Sequence, residues 1–257
     1  MIRGLWIKNL LVKTINNHVS IKDAAILFFA RFRSKPLKLR VLGFEFSNVD
    51  HILWSIIIDV FVNEVYTPRG HEIYENDIIL DIGAHQGFFS AYASQKTQAN
   101  IKSYEPNTTN FSRLCNFITR NNIANIEPNQ YAIAAEPGES FLKVSNTSST
   151  HYLSRVDNHG ETDQHQYERI QTKSLDQILM DVDHVDLLKI DCEGAEVEIF
   201  LSASEKTLKK VKKISAEIHY PFTDPRLIEM IEKLSPHFAS IKLIHGNGND
   251  LGYLFAK

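Results

Sequence analysis

The stretch Asn76 to Ser94, NDIILDIGAHQGFFSAYAS, predicts one buried strand, a tight turn and the start of a helix. Residues 78 to 82 are apolar except for Asp81, as is typical of a parallel-sheet strand that is covered on both faces. Gly83 and Gly87 follow the strand, and backbone without side chains can approach a ligand closely there. A strand, a glycine turn and a helix in this order indicate a nucleotide site.

Strand and helix patterns alternate after this stretch, which predicts right-handed parallel crossovers. Further strands are predicted at Ile101 to Tyr104, within residues 123 to 135, at 186 to 191, at 214 to 219, and as a final pair within 237 to 257. An antiparallel pair at the end of a parallel sheet differs from a dehydrogenase-type sheet. Residues 140 to 170 are polar with few apolar anchors, and we expect them to be irregular and either functional or mobile.

The N-terminal 40 residues differ in charge from the rest of the chain. The 257 residues are 43% hydrophobic and carry a net charge of -3, which fits one large α/β domain with an appendage. Residues 1 to 40 hold nine Lys or Arg and one acid, a charge of +8, whereas residues 41 to 257 hold 19 basic and 30 acidic side chains. We therefore expect a basic helical extension, residues 1 to 40, and a domain of residues 41 to 257.

The partner of the basic extension stays open at this stage. Apolar spacing predicts one or two helices in residues 2 to 33, with Ser20 as an N-cap. An amphipathic basic helix can make peripheral contact with a membrane, cover a partner, or dock on the acidic body of the protein itself. The acidic remainder, without interleaved aromatic and basic residues, argues against a nucleic-acid partner.

Cysteine usage and hydropathy point to the compartment. Cys115 and Cys192 are the only cysteines, which is too few for a disulfide framework and favours a reducing compartment. No apolar run approaches the roughly 18 residues that a membrane span needs, and residues 1 to 19 are a poor signal peptide. We therefore expect a cytoplasmic protein, with membrane association through residues 1 to 40 left open.

The glycine turn favours S-adenosylmethionine over a nicotinamide cofactor. A dinucleotide site requires the spacing G-x-G-x-x-G, which Gly83 and Gly87 do not satisfy. Asp81 would repel a pyrophosphate but can accept a hydrogen bond from the ammonium group of an amino-acid-bearing cofactor. Glu105 ends the second strand, 22 positions after Gly83, and a carboxylate there can accept hydrogen bonds from ribose hydroxyls.

The segment KIDCEGAE after the fourth strand gathers Asp191, Glu193 and Glu196. Ligands bind at the carboxyl ends of strands in open α/β sheets, so these acids can serve as a base, a metal ligand or a cofactor holder. Two alternatives are structural. Glu193 can stabilise the helix N-terminus electrostatically, and Glu196 can be solvated on its first turn.

His219 follows Glu217 at the end of the fifth strand, on the same face by the two-residue period. A histidine that titrates near neutrality can take the proton from a substrate hydroxyl, although lone histidines at strand ends are more often structural. Asp191, Glu193, Glu217 and His219 could also surround a divalent cation, but their spacing matches no known signature and we assign no metal.

The runs ILDIGAHQG, YEPNTTNFSRLCNFITRNN, SLDQIL, LLKIDCEGAEVEIFLSA and ISAEIH resemble the FkbM family of S-adenosylmethionine-dependent methyltransferases, over roughly residues 47 to 220. The resemblance implies a class I methyltransferase fold of seven strands, mostly parallel with the last antiparallel. It also implies methyl transfer to a hydroxyl of a sugar or other small molecule.

The resemblance also assigns roles to residues of this sequence. Asp81, Gly83 and Gly87 correspond to the cofactor turn, Glu105 to the ribose acid, and Asp191 with Glu193 to the motif at the fourth strand. His85, which we also assign to the cofactor, stands where family members commonly have Asn. Both residue types tolerate unusual backbone angles, so we expect the turn to be kept.

The sequence therefore predicts an S-adenosylmethionine-dependent O-methyltransferase of a glycan or other small-molecule acceptor. We expect His219, Glu193 or Asp191 to deprotonate the acceptor, and the polar segment 140 to 170 to help cover it. The alternative is a non-catalytic module that binds the cofactor and is recruited to a membrane or polymer by its basic N-terminus. A nicotinamide enzyme is disfavoured by the failed fingerprint.

Overall fold

The computed structural model describes residues 5–16, 18–144, 151–154, 166–245 and 252–257. The strands, in chain order, are β1 (Leu37–Val41), β2 (Phe44–Val49), β3 (Ile79–Ile82), β4 (Ile101–Tyr104), β5 (Ile126–Asn129), β6 (Ala132–Ile133), β7 (Gly138–Val144), β8 (His151–Ser154), β9 (Gln166–Lys173), β10 (Leu187–Ile190), β11 (Ile214–Ile218), β12 (Ile241–His245) and β13 (Gly252–Ala256). The helices are α1 (Leu5–Ile15), α2 (Ile21–Ala30), α3 (His51–Ile57), α4 (Phe88–Ser94), α5 (Thr108–Arg120), α6 (Leu175–Ile178), α7 (Glu196–Ser202), α8 (Glu205–Leu208) and α9 (Pro225–Leu234). One π-helical turn, Ile58–Val62, continues α3.

A seven-stranded sheet forms the centre of the fold, in the order β12-β13-β11-β10-β3-β4-β5. The pairs β3 with β4, β4 with β5, β3 with β10 and β10 with β11 are parallel. The last strand, β13, is antiparallel to both β11 and β12. The predicted α/β class I methyltransferase sheet with its antiparallel C-terminal pair is therefore confirmed.

The carboxyl ends of the central strands lie together, because β3 is the strand at which the chain order reverses. Ile82 at the end of β3 is in register with Tyr104 of β4 on one side and with Ile190 of β10 on the other. Both β3 and β10 are buried along their whole length. The residues that follow these strands consequently surround one cleft, which is where open α/β sheets bind ligands.

The N-terminal residues pack on the helical layer beside this sheet. The predicted helices α1 and α2 are confirmed, and Ser20 caps α2 by accepting a hydrogen bond from the Asp23 N–H. Trp6 of α1 packs edge-on against Trp54 of α3, whose indole N–H donates to the Leu27 carbonyl at 2.9 Å. Strands β1 and β2 form a separate antiparallel sheet. The domain boundary after residue 40 stays a prediction.

The expectation of irregular structure in residues 140 to 170 is wrong for the part that the structure describes. Strands β7, β8 and β9 pair antiparallel and, with β6, form a four-stranded sheet. Among the described side chains of this sheet, Ala132, Leu142 and Ile170 form a small apolar cluster of their own. A strand pattern with so few apolar positions gives little periodic signal in the sequence. Residues 145–150 and 155–165 of the expected segment lie outside the described residues.

Candidate active site

The glycine turn joins β3 to α4 under two steric constraints. Gly83 and Gly87 have φ values of +74° and +85°, which L side chains rarely adopt. A Cβ on Gly83 would overlap the backbone carbonyl of Asp191, whereas a Cβ on Gly87 would meet the side chain of Leu114. The two glycines therefore allow the turn to pack against the segment after β10 and against α5.

His85, at the centre of the turn, has a φ of +51°. Its backbone N–H donates a hydrogen bond to Oε2 of Glu105 at 2.8 Å. The backbone N–H groups of Gly83 and Ala84 both donate to the Tyr104 carbonyl, at 3.0 and 2.9 Å. Backbone N–H groups of the turn thus hold it to the end of β4. These bonds do not involve the side chain at position 85, so the turn accommodates His85.

Glu105 lies at the inner wall of the cavity that this turn helps to form. Its side chain accepts hydrogen bonds from the backbone N–H of His85 and, at 2.9 Å, from that of Asn107. Burial raises the pKa of Glu105 to about 8, against the effect of these two N–H groups and of Lys189. Each carboxylate oxygen retains acceptor capacity, so the residue fits a ligand with adjacent hydroxyl groups.

The side chain of Asp81 does not line the cavity, which argues against its predicted role as partner of the cofactor's ammonium group. Its side chain is fully buried, and Ser90 Oγ donates to it at 2.6 Å. Lys189 Nζ lies 3.1 Å from Asp81 Oδ1 and donates to the Gly83 carbonyl at 2.8 Å. The charge of Asp81 is therefore already balanced inside the protein, behind the turn.

Lys189 was not assigned a role in the sequence analysis. Its Nζ also lies 3.7 Å from Oδ2 of Asp191, and it is 3% exposed. Burial alone would lower the pKa of Lys189, but Asp81 and Asp191 raise it above the usual value. The sequence does indicate a role for Lys189, because it is a lysine inside the apolar strand Leu187–Ile190, and a buried ammonium group requires carboxylate partners.

Tyr66 connects two acids from neighbouring strands. Its hydroxyl lies 2.8 Å from Oδ2 of Asp191 and 2.8 Å from Oε2 of Glu217. Burial, with the charges of both acids, raises the pKa of Tyr66 well above its usual value, so the phenol keeps its proton. A hydroxyl can donate only one hydrogen, so both contacts are satisfied together when a protonated Glu217 donates to the Tyr66 oxygen. Burial and Asp191 raise the pKa of Glu217, in agreement with this arrangement.

His219 lies behind the cavity wall and not on it, which argues against its predicted role as the base. Its Nδ1 lies 3.1 Å from Oε1 of Glu196, and its Nε2 lies 3.5 Å from Oε2 of Glu193 and 4.0 Å from Oδ1 of Asp191. Burial would lower the pKa of His219, but the hydrogen bond to Glu196 and the three acids raise it to about 10. His219 is therefore an imidazolium near neutral pH and cannot accept a proton there.

Glu196 is fully buried, so the alternative that it is solvated is wrong. It accepts hydrogen bonds from the backbone N–H groups of Cys192 and Gly194, at 3.0 and 3.1 Å, which shapes the turn after β10. Asp191, Glu196 and His219 offer ligand atoms within 4.8 Å of one another. The sequence matches no known metal signature here, and we assign no ion to this group.

Glu193 is the predicted catalytic residue whose pKa suits proton transfer near neutral pH. Burial raises the pKa of Glu193 to about 7, and Asp191 adds to this while His219 opposes it. Glu193 has a φ of +55° and faces the cavity together with Asp191 and Glu217. The structure therefore brings the three predicted catalytic residues together but places only Asp191 and Glu193 on the cavity wall, where it adds Tyr66 and Glu217.

The cavity at this edge of the sheet has a volume of about 280 Å³. Turn residues Gly83, Ala84 and His85 form one side of it. Its remaining walls are the polar residues Asp59, Tyr66, Glu105, Asn110, Lys189, Asp191, Glu193, Glu217 and Tyr253, and apolar or weakly polar residues that include Val60, Phe88, Tyr104, Pro106, Ile133 and Leu142. An apolar cleft with a few convergent polar groups is typical of a cofactor site.

The model of the family described as Methyltransferase FkbM domain matches residues 81–254. The chain belongs to the FkbM methyltransferase family. The match runs from Asp81 in β3 to the last strand. It therefore reaches further toward the C-terminus than the resemblance over roughly residues 47 to 220. S-adenosylmethionine is the methyl donor used by methyltransferases with this fold.

Two curated relatives illustrate how widely the domain is used. The chain is 28% identical over 216 residues to the hexuronic acid methyltransferase AglP of Haloferax volcanii, which covers 81% of this chain and 82% of AglP. It is 25% identical over 223 residues to the AMB antimetabolite synthetase AmbE of Pseudomonas aeruginosa, which covers 72% of this chain. The chain spans only 10% of the length of AmbE.

A solved structure supports the fold. The methyltransferase FkbM of Methylobacillus flagellatus KT superposes with a TM-score of 0.53 over 92% of this chain and 59% of its own chain, at 15% sequence identity. At that identity the similarity concerns the fold alone.

Proposed function

We propose that this methyltransferase transfers a methyl group from S-adenosylmethionine to a hydroxyl of a sugar or other small-molecule acceptor. One observation carries the proposal. The buried acid Glu105, suited to vicinal hydroxyls, shares a cavity with Glu193, a carboxyl group whose pKa is about 7. A cofactor-holding acid and a base that titrates near neutrality are the two groups that transfer to a hydroxyl uses.

We assign the side of the cavity formed by Glu105 and the glycine turn to the cofactor. The carboxylate of Glu105 would accept hydrogen bonds from the ribose hydroxyls, and the turn of Gly83 to Gly87 would hold the neighbouring part of the molecule through its backbone. When bound, S-adenosylmethionine supplies a methyl group that is open to attack by a nucleophile. In this proposal Asp81 supports the turn through Lys189 and is not a ligand.

The residues Tyr66, Glu193 and Glu217, which also line the cavity, would orient and deprotonate the acceptor. Glu193 would accept the proton of the acceptor hydroxyl, and the second candidate on the adjacent strand is Glu217 in its ionised form, since its pKa is raised to about 7. The imidazolium of His219 and the ammonium of Lys189 both lower the pKa of Glu193, and so keep part of it ionised near neutral pH. Tyr66 would orient Asp191 and Glu217, and holding the acceptor in line contributes much of the acceleration.

The relative AglP supports a sugar as the acceptor class, because its name describes methylation of a hexuronic acid and the match covers most of both chains. The carboxylates that face the cavity also suit a polyhydroxylated ligand, since each can accept hydrogen bonds from hydroxyl groups. We therefore propose a hydroxyl-bearing sugar as the first acceptor to test.

The test is a methyl-transfer assay with labelled S-adenosylmethionine and a panel of neutral glycosides, uronic acids and non-sugar alcohols. We expect a methyl ether on a sugar hydroxyl, with a rate that falls about 100-fold or more in Glu193→Gln. Glu217→Gln is the parallel variant, and Glu229→Gln on the exposed face of α9 is the matched control. Cofactor binding without transfer to any member of the panel would instead support the non-catalytic module.

A further inference from the structure

The described residues of the N-terminal extension expose an unusual amount of apolar surface. Eight of the fourteen exposed large apolar side chains in the described part of the chain lie between residues 7 and 32. We call them the leader patch: Ile7, Leu11, Val12, Ile15, Ile21, Phe28, Phe29 and Phe32. Such a concentration marks an interaction surface, whereas single exposed apolar residues do not.

The leader patch follows helical spacing on each of its two helices. On α1 the exposed side chains recur at Ile7, Leu11 and Ile15, while Trp6 and Leu10 are buried in the core. This periodicity places the exposed residues on the face opposite the one that packs on the protein. The apolar face of α1 therefore points away from the protein.

Helix α2 and the turn that follows it present the aromatic part of the patch. The rings of Phe28, Phe29 and Phe32 form a cluster, with centroids 5.5 Å apart for Phe28 and Phe29 and 5.6 Å apart for Phe28 and Phe32. Phe28 also lies 6.1 Å from the ring of Trp6, which links the aromatic cluster to α1. Phe29 and Phe32 are 67% and 69% exposed, so most of the surface of each side chain is available for burial against a partner.

Six of the basic residues of the extension fall into two groups. Lys13 pairs with Glu64 at 2.6 Å and Lys38 with Glu45 at 2.7 Å, so these two dock on the protein itself. Lys8, Lys22, Arg33 and Lys35 are exposed and form no ion pair with another described residue. Self-docking therefore accounts for only part of the positive charge, and the remaining cations flank the leader patch.

We propose that the leader patch docks on an anionic lipid bilayer. Aromatic and aliphatic side chains that are bordered by lysine and arginine complement a surface that is apolar below a layer of negative headgroups. Binding of this kind requires no membrane span, and no helix in the described ranges is long and apolar enough to cross a bilayer. The patch lies outside residues 81–254, the part of the chain that the family model matches.

The helix that carries part of the leader patch packs on an element that lines the cavity. Helix α1 packs on the π-helical turn Ile58–Val62, where Asn9 donates to Asn63 at 2.8 Å just beyond the turn. Two residues of that turn, Asp59 and Val60, line the cavity. Helix α1 and the π-helical turn thus lie between the leader patch and the candidate active site.

The experiment is flotation of the full chain with vesicles of phosphatidylcholine alone and with about 30% phosphatidylglycerol, at low and high salt. We expect binding to the anionic vesicles that weakens at high salt. The variant Phe29→Ser with Phe32→Ser should lower the vesicle partition coefficient about tenfold or more, because both rings lose their burial in lipid. Lys22→Glu with Lys35→Glu should lower it at low salt.

Matched controls separate this proposal from a general loss of structure. Met180→Ser changes an apolar side chain of the same exposure, 67%, and Lys206→Glu with Lys209→Glu makes the same charge change elsewhere. Both controls should float as the wild type does, and every variant should bind S-adenosylhomocysteine with unchanged affinity. Three results would overturn the proposal: no flotation of the wild type, equal flotation of the Phe29 and Phe32 variant, or a dimer held by this face that ignores vesicles.

Discussion

The backbone N–H of His85 donates to Oε2 of Glu105 at 2.8 Å, and this bond joins the glycine turn to the acid at the end of the neighbouring strand. Two parts of the candidate cofactor site, 20 residues apart in the chain, therefore hold each other in place. Because Glu105 is buried and its pKa is raised to about 8, its protonation is linked to ligand binding.

The affinity for S-adenosylhomocysteine should depend on the titration of Glu105. Hydroxyl groups of the ligand donate to the ionised carboxylate, so binding lowers the pKa of Glu105 from about 8 in the free protein. Affinity should therefore rise from pH 6 to pH 8, by at most about tenfold per pH unit, and level off above pH 8. Calorimetry across this range tests the prediction. An affinity that falls as the pH rises would contradict it.

The two glycines of the turn should differ in their tolerance of alanine. Gly83→Ala should lower the free energy of unfolding by roughly 4 kcal/mol, because its Cβ would meet the backbone of Asp191, which cannot move alone. Gly87→Ala should cost roughly 2 kcal/mol, because the flexible end of Leu114 can give way. Urea denaturation of both variants measures the difference. Equal costs would show that the backbone contact at Gly83 is not the limiting one.

Asp81 should matter for stability through its ion pair with Lys189. Asp81→Asn removes the charge that balances a buried ammonium group, and should lower the free energy of unfolding by about 3 kcal/mol or more. Asp81→Leu with Lys189→Met should recover part of this loss, because no buried charge is then left without its partner. Denaturation curves test both, with the exposed Asp183→Asn as the control. Weaker cofactor binding at unchanged stability would instead make Asp81 a direct ligand.

His219 should set the pH dependence of methyl transfer without being the base. Its positive charge lowers the pKa of Glu193, so His219→Gln should raise that pKa and move the midpoint of the rate profile to higher pH by about one unit. The maximal rate above the midpoint should change little. If His219 accepted the proton itself, the same variant would lose about 100-fold or more in rate at every pH.

The fold was largely predictable because its signals are local. The apolar runs of β3, β10 and β11 and the cap at Ser20 each lie within a few residues of the elements that they define. The four-stranded sheet around Leu142 and Ile170 was missed because it buries so few side chains that its strands read as polar loop.

The position of the candidate site could be predicted from the sequence, but the ion pairs and protonation states of its residues could not. Glu105, Asp191 and Glu193 could be assigned because each follows a strand that ends at the same edge of the sheet. Whether Asp81 points toward the cavity depends on Lys189, a residue 108 positions away whose charge it balances. The proton on His219 likewise depends on burial and on three surrounding acids, which only the folded chain brings together.

The most direct test is calorimetric titration of S-adenosylhomocysteine into Glu105→Gln, with Glu127→Gln on the neighbouring strand as the matched control. Loss of two charge-assisted hydrogen bonds should weaken binding by roughly 2 to 4 kcal/mol, or about 30-fold to 1000-fold, while the control keeps wild-type affinity. Unfolding by urea should confirm that Glu105→Gln is folded. Wild-type affinity in folded Glu105→Gln would contradict the assignment of this cavity as the cofactor site.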